Sequence, residues 1–302
     1  MKVATSVKHA LDSKKAVVAL ESSVISQGLA YPKNLEIALA MESCIRKEQA
    51  QPSTLAIIDG VITVGCTFEE INRLATEGGI LKAGSREIGT AVALKKTAAL
   101  TVSASLKVAS KSGIRVFATG GIGGVHHCSD GKLFDVSSDL IELSRNQVIV
   151  VCAGAKNILN LGATLEVLES LAVPVFGFQT DEFPAFFVRS SGLKIPCIQN
   201  IEALAAIAVE HWKYSNSAIL LCLPVESSFA LSPGVWSDAL NHAIENSVRD
   251  KIMGQASTPY LLRAVADFTQ GATVVANEKL LLANSILAAQ VAVEFLKKSA
   301  GL

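Results

Sequence analysis

A chain of 302 residues, half of them hydrophobic and only 18% charged, can bury a large core, which excludes intrinsic disorder. Lysine plus arginine and aspartate plus glutamate balance at 27 each, which argues against a general polyanion binder and so against a nucleic-acid partner. The mean hydropathy of +0.41 reflects buried strands, not a membrane, because no apolar run reaches the roughly 18–20 residues of a spanning helix.

Residues 1–15 are polar and mixed in charge, with no signal-peptide apolar segment. Residues 16–20 read as a buried strand ending at the polar cluster Glu21-Ser22-Ser23. Asn34 fits the N-cap of a helix with Leu35, Ala38, Met41 and Ile45 on one face. Residues 55–58 and 61–64 flank Asp59-Gly60, a strong signal for an antiparallel hairpin. Thr67 and Glu70 make a capping box for a helix running to Leu74.

Strands are predicted at 115–119 and 148–152, each running into small residues: Gly120-Gly121-Ile122-Gly123-Gly124 after the first, Ala153-Gly154-Ala155 after the second. Further apolar runs cover 173–178 and 218–223, and helical patterns cover 237–251, 259–268 and 277–298. Strands alternating with helices argue an α/β fold, and the hairpin makes its sheet mixed. No repeat or linker divides the chain, so 1–302 is expected to be one domain. Six scattered cysteines without a C-x-x-C pair read as reduced thiols of a cytoplasmic protein.

Ligands in α/β folds collect beyond the carboxyl ends of strands. Four clusters are expected there: Glu21-Ser22-Ser23, Gly120 to His127, Lys156, and Thr180-Asp181-Glu182. Lys156 follows a strand and is expected to open a helix over 157–171. Burial and nearby backbone N–H groups disfavour an ammonium ion there, and a neutral amine is what a Schiff-base lysine requires. The position also suits, and from the residues alone suits somewhat better, a lysine snorkelling to water at a helix start. Glu21, at a sheet edge, is placed to act as a general acid or to accept hydrogen bonds from loop amides. The glycine run would let a ligand approach backbone amides as an anion nest, or simply make a tight turn. Behind it stand His126, His127, Cys128, Asp130, Asp135 and Asp139, without zinc-type spacing. Asp135 and Asp139, with Ser137 and Ser138, suit a hard divalent cation held largely through water, or a helix start capped by Asp135 or Ser137. Without G-x-S-x-G or a kinase signature, serine hydrolases and protein kinases are disfavoured.

Several strings then occur in a recognisable order: Ala19-Leu20-Glu21-Ser22-Ser23, Tyr31-Pro32-Lys33-Asn34, Ile58-Asp59-Gly60, Thr119 to His126, Phe134-Asp135 with Ser137 and Asp139, Val151-Cys152-Ala153-Gly154-Ala155-Lys156, Glu182-Phe183-Pro184-Ala185-Phe186, and Thr258-Pro259. Together they resemble the pseudouridine-5′-phosphate glycosidase family, also called indigoidine synthase A-like. The resemblance implies a three-layer α/β/α sandwich, a homotrimer and a divalent metal ion, typically Mn2+. It implies reversible cleavage of the C–C glycosidic bond of pseudouridine 5′-phosphate, giving uracil and ribose 5-phosphate. By the same resemblance Lys156 is the nucleophile that holds C1′ as an imine, Glu21 the proton donor and Asp135 the metal ligand. Lys82, Val102, Ser137, Ser138 and Asp139 are implied to contact substrate, and Asn284 to recognise the base.

This chemistry is physically consistent. A bond to uracil C5 has no basic leaving oxygen, so two-carboxylate hydrolysis does not serve it, whereas an iminium at C1′ supplies an electron sink. Lys82 and the glycine run are the expected hosts of the phosphate. The chain departs from the family pattern at Gln27 (usually His), His127 (usually Arg), Cys222-Leu223 (usually Asn-Pro) and Gln255-Ala256 (usually Lys-Glu), with one residue inserted between His127 and Asp135. The lysine, the acid and the metal aspartate are all retained. Another Schiff-base sugar-phosphate lyase, or a non-catalytic sugar-phosphate binding protein, are the alternative readings.

Overall fold

The short aliphatic runs become strands of one sheet. A computed structural model of the chain describes residues 1–127, 135–252 and 257–299; Cys128, Asp130, Phe134, Gln255 and Ala256 lie outside them. Across the sheet the described strands run β1 (Lys2–Val3), β4 (Val61–Val64), β3 (Gln51–Ile58), β2 (Val17–Leu20), β7 (Val116–Ala118), β8 (Ile149–Cys152), β11 (Ile219–Cys222), β9 (Val175–Phe178) and β10 (Cys197–Ile198). Off this path, β5 (Leu81–Ala83) pairs with β6 (Ala98–Leu100), which pairs with β3. The pairings are parallel except β3 with β4 and β3 with β6, so the sheet is mixed, as expected. The Asp59-Gly60 turn joins β3 to β4 with both residues at positive φ, which suits the twist of a two-residue hairpin.

Alternation along the strands divides the core in two. Val18, Leu20, Val116, Ala118, Ile149, Val151, Ile219 and Leu221 share one cluster with α2 (Lys33–Lys47), α8 (Ile201–His211), α9 (Pro233–Arg249), α10 (Ser257–Phe268) and α11 (Ala272–Ser299). Val17, Ala19, Phe117, Val150, Cys152, Leu220 and Cys222 share the other with α1 (Thr5–Asp12), α4 (Ile88–Ala93), α5 (Val102–Lys111), α6 (Ser138–Leu143) and α7 (Leu161–Ser170). Helices therefore cover both faces, which makes an α/β/α sandwich. The capping box at Thr67 and Glu70 starts α3 (Phe68–Thr76). Although α11 is long and apolar enough to cross a membrane, it packs as a core helix against α2, α8, β7 and β8. Cys44, Cys66, Cys152, Cys197 and Cys222 are free thiols.

Two predicted helix starts move. Asn34 lies inside α2 and does not cap it: its buried amide donates to Ile25 O (2.8 Å) and Ala75 O (3.0 Å), so tertiary partners take the side chain that capping would use. The helix expected from residue 157 begins at Leu161, capped by Asn160. Lys156 donates its N–H to Ile122 O (3.0 Å), and that long-range bond holds it in a turn ahead of the helix.

Candidate active site

Glu21 leaves β2 at the carboxyl edge of the sheet and is buried. The hydroxyls of Ser23 and Thr119 donate to its two carboxylate oxygens. A hydroxyl can turn from donor to acceptor, so this pair can accompany either the carboxylate or the carboxylic acid. Ser22 ties the β2 exit to its neighbours, donating to Leu55 O (2.6 Å) and accepting from Leu100 N (2.9 Å). From β6 the chain turns directly into α5, whose first residue is the buried Val102, while Lys82 on β5 is in register with Ala99 on β6. One corner of the sheet therefore carries Glu21, Lys82 and Val102.

The β7 and β8 exits complete the ring. Ala153 N donates to Gly120 O (2.8 Å), and Asn284 Nδ2 reaches from α11 to Thr119 O (2.8 Å). Gly154 sits at φ +79°, and a Cβ there would lie 2.2 Å from Pro184 O, so only glycine lets the chain turn toward Lys156 beneath the 183–188 loop. Asp139 is buried with both oxygens engaged by backbone: Ser103 N on Oδ1 (2.8 Å) and Gly123 N on Oδ2 (2.8 Å). It joins α5, α6 and the glycine run, with one backbone N–H on each of its oxygens. Ser137 caps α6, as its alternative reading allowed, and Ser138 Oγ donates to Ser103 Oγ (3.0 Å). Burial, then the charge of Lys156, push the Lys82 ammonium below its ordinary range, while Glu21 and Asp139 act in the opposite direction. These four ionisable side chains share one electrostatic environment.

Parts of the glycine run are packed by the protein's own side chains. A Cβ on Gly123 would lie 2.3 Å from Ser137 Oγ, and one on Gly124 would lie 2.3 Å from Thr164 Oγ1. The amides of Ile122, Gly123 and Val125 donate to Gly154 O, Asp139 and Thr164 Oγ1, so these three are committed to internal acceptors. Thr180-Asp181-Glu182 does not join the site: Lys194 pairs with Asp181 (2.9 Å) and Glu182 (3.2 Å) at the surface. The buried Phe186 that follows packs against Gly121 and donates its N–H to Ala153 O, giving the site an apolar wall.

Asp135 is exposed, and its carbonyl accepts from His126 N (3.0 Å). Among the described residues no three His, Cys, Asp or Glu side chains cluster as metal ligands. A lone exposed carboxylate fits a hard cation that keeps most of its water, not a closed zinc-type cage. Sequence reasoning missed Thr119 as the partner of Glu21. Its place as the last residue before the glycine run was the available signal.

Residues 6–294 match the family model described as indigoidine synthase A like protein. Over 293 residues the chain is 46% identical to a pseudouridine-5′-phosphate glycosidase of Mycoplasmopsis agalactiae, covering 97% of each. It is 40% identical to the Escherichia coli protein of that name, covering 98% of this chain and 95% of that one. Among solved structures, the prealnumycin C-glycosynthase AlnA in complex with ribulose 5-phosphate superposes with a TM-score of 0.92 at 33% identity, covering 100% and 98% of the two chains. An indigoidine synthase A-like protein from Thermotoga maritima gives 0.87 at 34%, covering 94% of each. With the family model matching residues 6–294 and full-length relatives at this identity, the chain belongs to the indigoidine synthase A-like family.

Proposed function

We propose that the protein cleaves the C–C glycosidic bond of pseudouridine 5′-phosphate, releasing uracil and ribose 5-phosphate. The observation that carries this reading is the convergence of Glu21, Lys82 and Lys156 at one sheet edge, in a chain whose relatives bear that activity in their names. The Lys156 amine attacks C1′, forming a C–N bond as the C1′–O4′ bond opens and O4′ takes a proton. Glu21 then delivers a proton to uracil C5. The nitrogen lone pair forms C1′=N as the C1′–C5 bond breaks, and the electrons of that bond restore the C5=C6 double bond. Water hydrolyses the imine, frees Lys156 and leaves ribose 5-phosphate.

Lys82 binds the phosphate, an anion that relieves the strain of its buried ammonium, and Val102 and Ser138 line the same corner. Asp135 would hold Mn2+ or another divalent cation through water, and charge neutralisation beside the phosphate is what such an ion supplies. The C-glycosynthase relative supports the same bond chemistry run toward synthesis. Purified protein with Mn2+ should release uracil from pseudouridine 5′-phosphate, and borohydride should trap the sugar on Lys156. Lys156→Ala should abolish both, and a wild type that neither cleaves nor traps ends the proposal.

A further inference from the structure

Asn157 directly follows the lysine nucleophile, is 6% exposed, and has neither its Nδ2 nor its Oδ1 partnered among the described residues. The turn that carries it is fixed on both sides, by Lys156 N to Ile122 O (3.0 Å) and Asn160 N to Val125 O (2.8 Å). A buried amide with no partner loses its hydration and gains nothing from the protein, so such a group in a native fold calls for a partner, either an ordered water or a bound ligand. Asn284, the other buried asparagine of the site, has already committed its Nδ2 to Thr119 O and keeps only Oδ1 free. Asn157, next in the chain to Lys156, therefore has both a donor and an acceptor to offer.

That pair of groups argues against the phosphate and leaves the ribose hydroxyls and the base as partners. A phosphate presents acceptors alone and would be opposed by Oδ1. The imide edge of uracil presents an N–H beside a carbonyl, which one carboxamide can meet with two hydrogen bonds. We infer that Asn157 is a specificity-determining residue that pairs with the imide edge of the base, an inference resting on the glycosidase reading above.

Running the reaction in the synthetic direction separates the two halves of the site, because uracil and ribose 5-phosphate can be varied independently. Asn157→Ala and the near-isosteric Asn157→Asp should raise KM for uracil roughly ten- to a hundredfold, as expected for two lost hydrogen bonds. KM for ribose 5-phosphate and its borohydride trapping on Lys156 should not move. Wild type should reject N3-methyluracil, and Asn157→Ala should lose much of that preference. The free Asn157→Ala protein should melt no lower than wild type, since it buries no orphan amide. An active wild type whose variants leave KM for uracil unchanged, or raise KM for ribose 5-phosphate instead, overturns the Asn157 assignment alone. A wild type that forms no C–C bond overturns both readings.

Discussion

Lys82 is placed where a positive charge is unwelcome: burial and the neighbouring Lys156 both work against its ammonium form. Such a site gains when an anion arrives, because a phosphate stabilises the Lys82 ammonium that burial disfavours. Lys82→Met should therefore raise KM for the phosphorylated substrate by roughly tenfold or more, as the loss of a charge-assisted contact implies. The same variant should not lower the stability of the free protein. The fold disfavours protonated Lys82, so its cost is present below the depressed folded-state value and disappears as pH rises through that value toward the ordinary lysine range. Urea melts from neutral to alkaline pH should show wild type gaining stability in that window and Lys82→Met gaining less. A variant that melts clearly lower at neutral pH with unchanged KM would make Lys82 a structural residue.

Two elements hold the nucleophile and its neighbours in place. At the end of β8, Gly154→Ala combines a positive φ with a Cβ 2.2 Å from Pro184 O, so the 183–188 loop must shift. A loss of about 2–4 kcal/mol in stability and a large fall in kcat are expected. Gly89→Ala in α4, where an added Cβ meets nothing within 4 Å, serves as the control and should be neutral or slightly stabilising. On α6, burial would raise the Glu142 carboxyl, but hydrogen bonds from Lys107, Ser85 and Asn146 outweigh it and hold the group below the usual range. A depressed carboxylate contributes stability above its unfolded value that is lost as pH falls through the folded one. Glu142→Gln should melt less steeply with acidification below about pH 4.5, the ordinary Glu value. If its acid profile overlays that of wild type, the Lys107–Glu142 pair does not secure α6 against α5. These elements differ in how plainly the sequence announces them. The Asp59-Gly60 hairpin and the Thr67–Glu70 capping box are local chemistry and were readable. The start of α7 was not, because Lys156 is held out of the helix by a carbonyl 34 positions earlier in the chain, at Ile122.

Across the whole molecule, strands buried on both faces appear as continuous apolar runs, so β2, β7, β8 and β11 could be found, whereas their order could not. Strands β5 and β6 are three residues each and exist through pairing with each other and with β3, a dependence invisible in local pattern. The site follows the same rule. Glu21 and Lys156 stand out as charges at strand ends, but the Thr119 bond to Glu21 spans 98 positions and the Asp139 bond to Ser103 spans 36. Because β2, β5, β6, β7, β8, α6 and α11 all contribute, occupying the site should stabilise the fold as a unit, not one loop of it. Ribose 5-phosphate at a hundred times its Kd would add about 2.7 kcal/mol, which for a chain this size raises Tm by roughly 4 °C. Borohydride reduction should make that shift survive dilution in wild type and not in Lys156→Ala. Calorimetric binding of the sugar phosphate with an unmoved Tm would mean that the ligand occupies a segment which opens independently of the sheet.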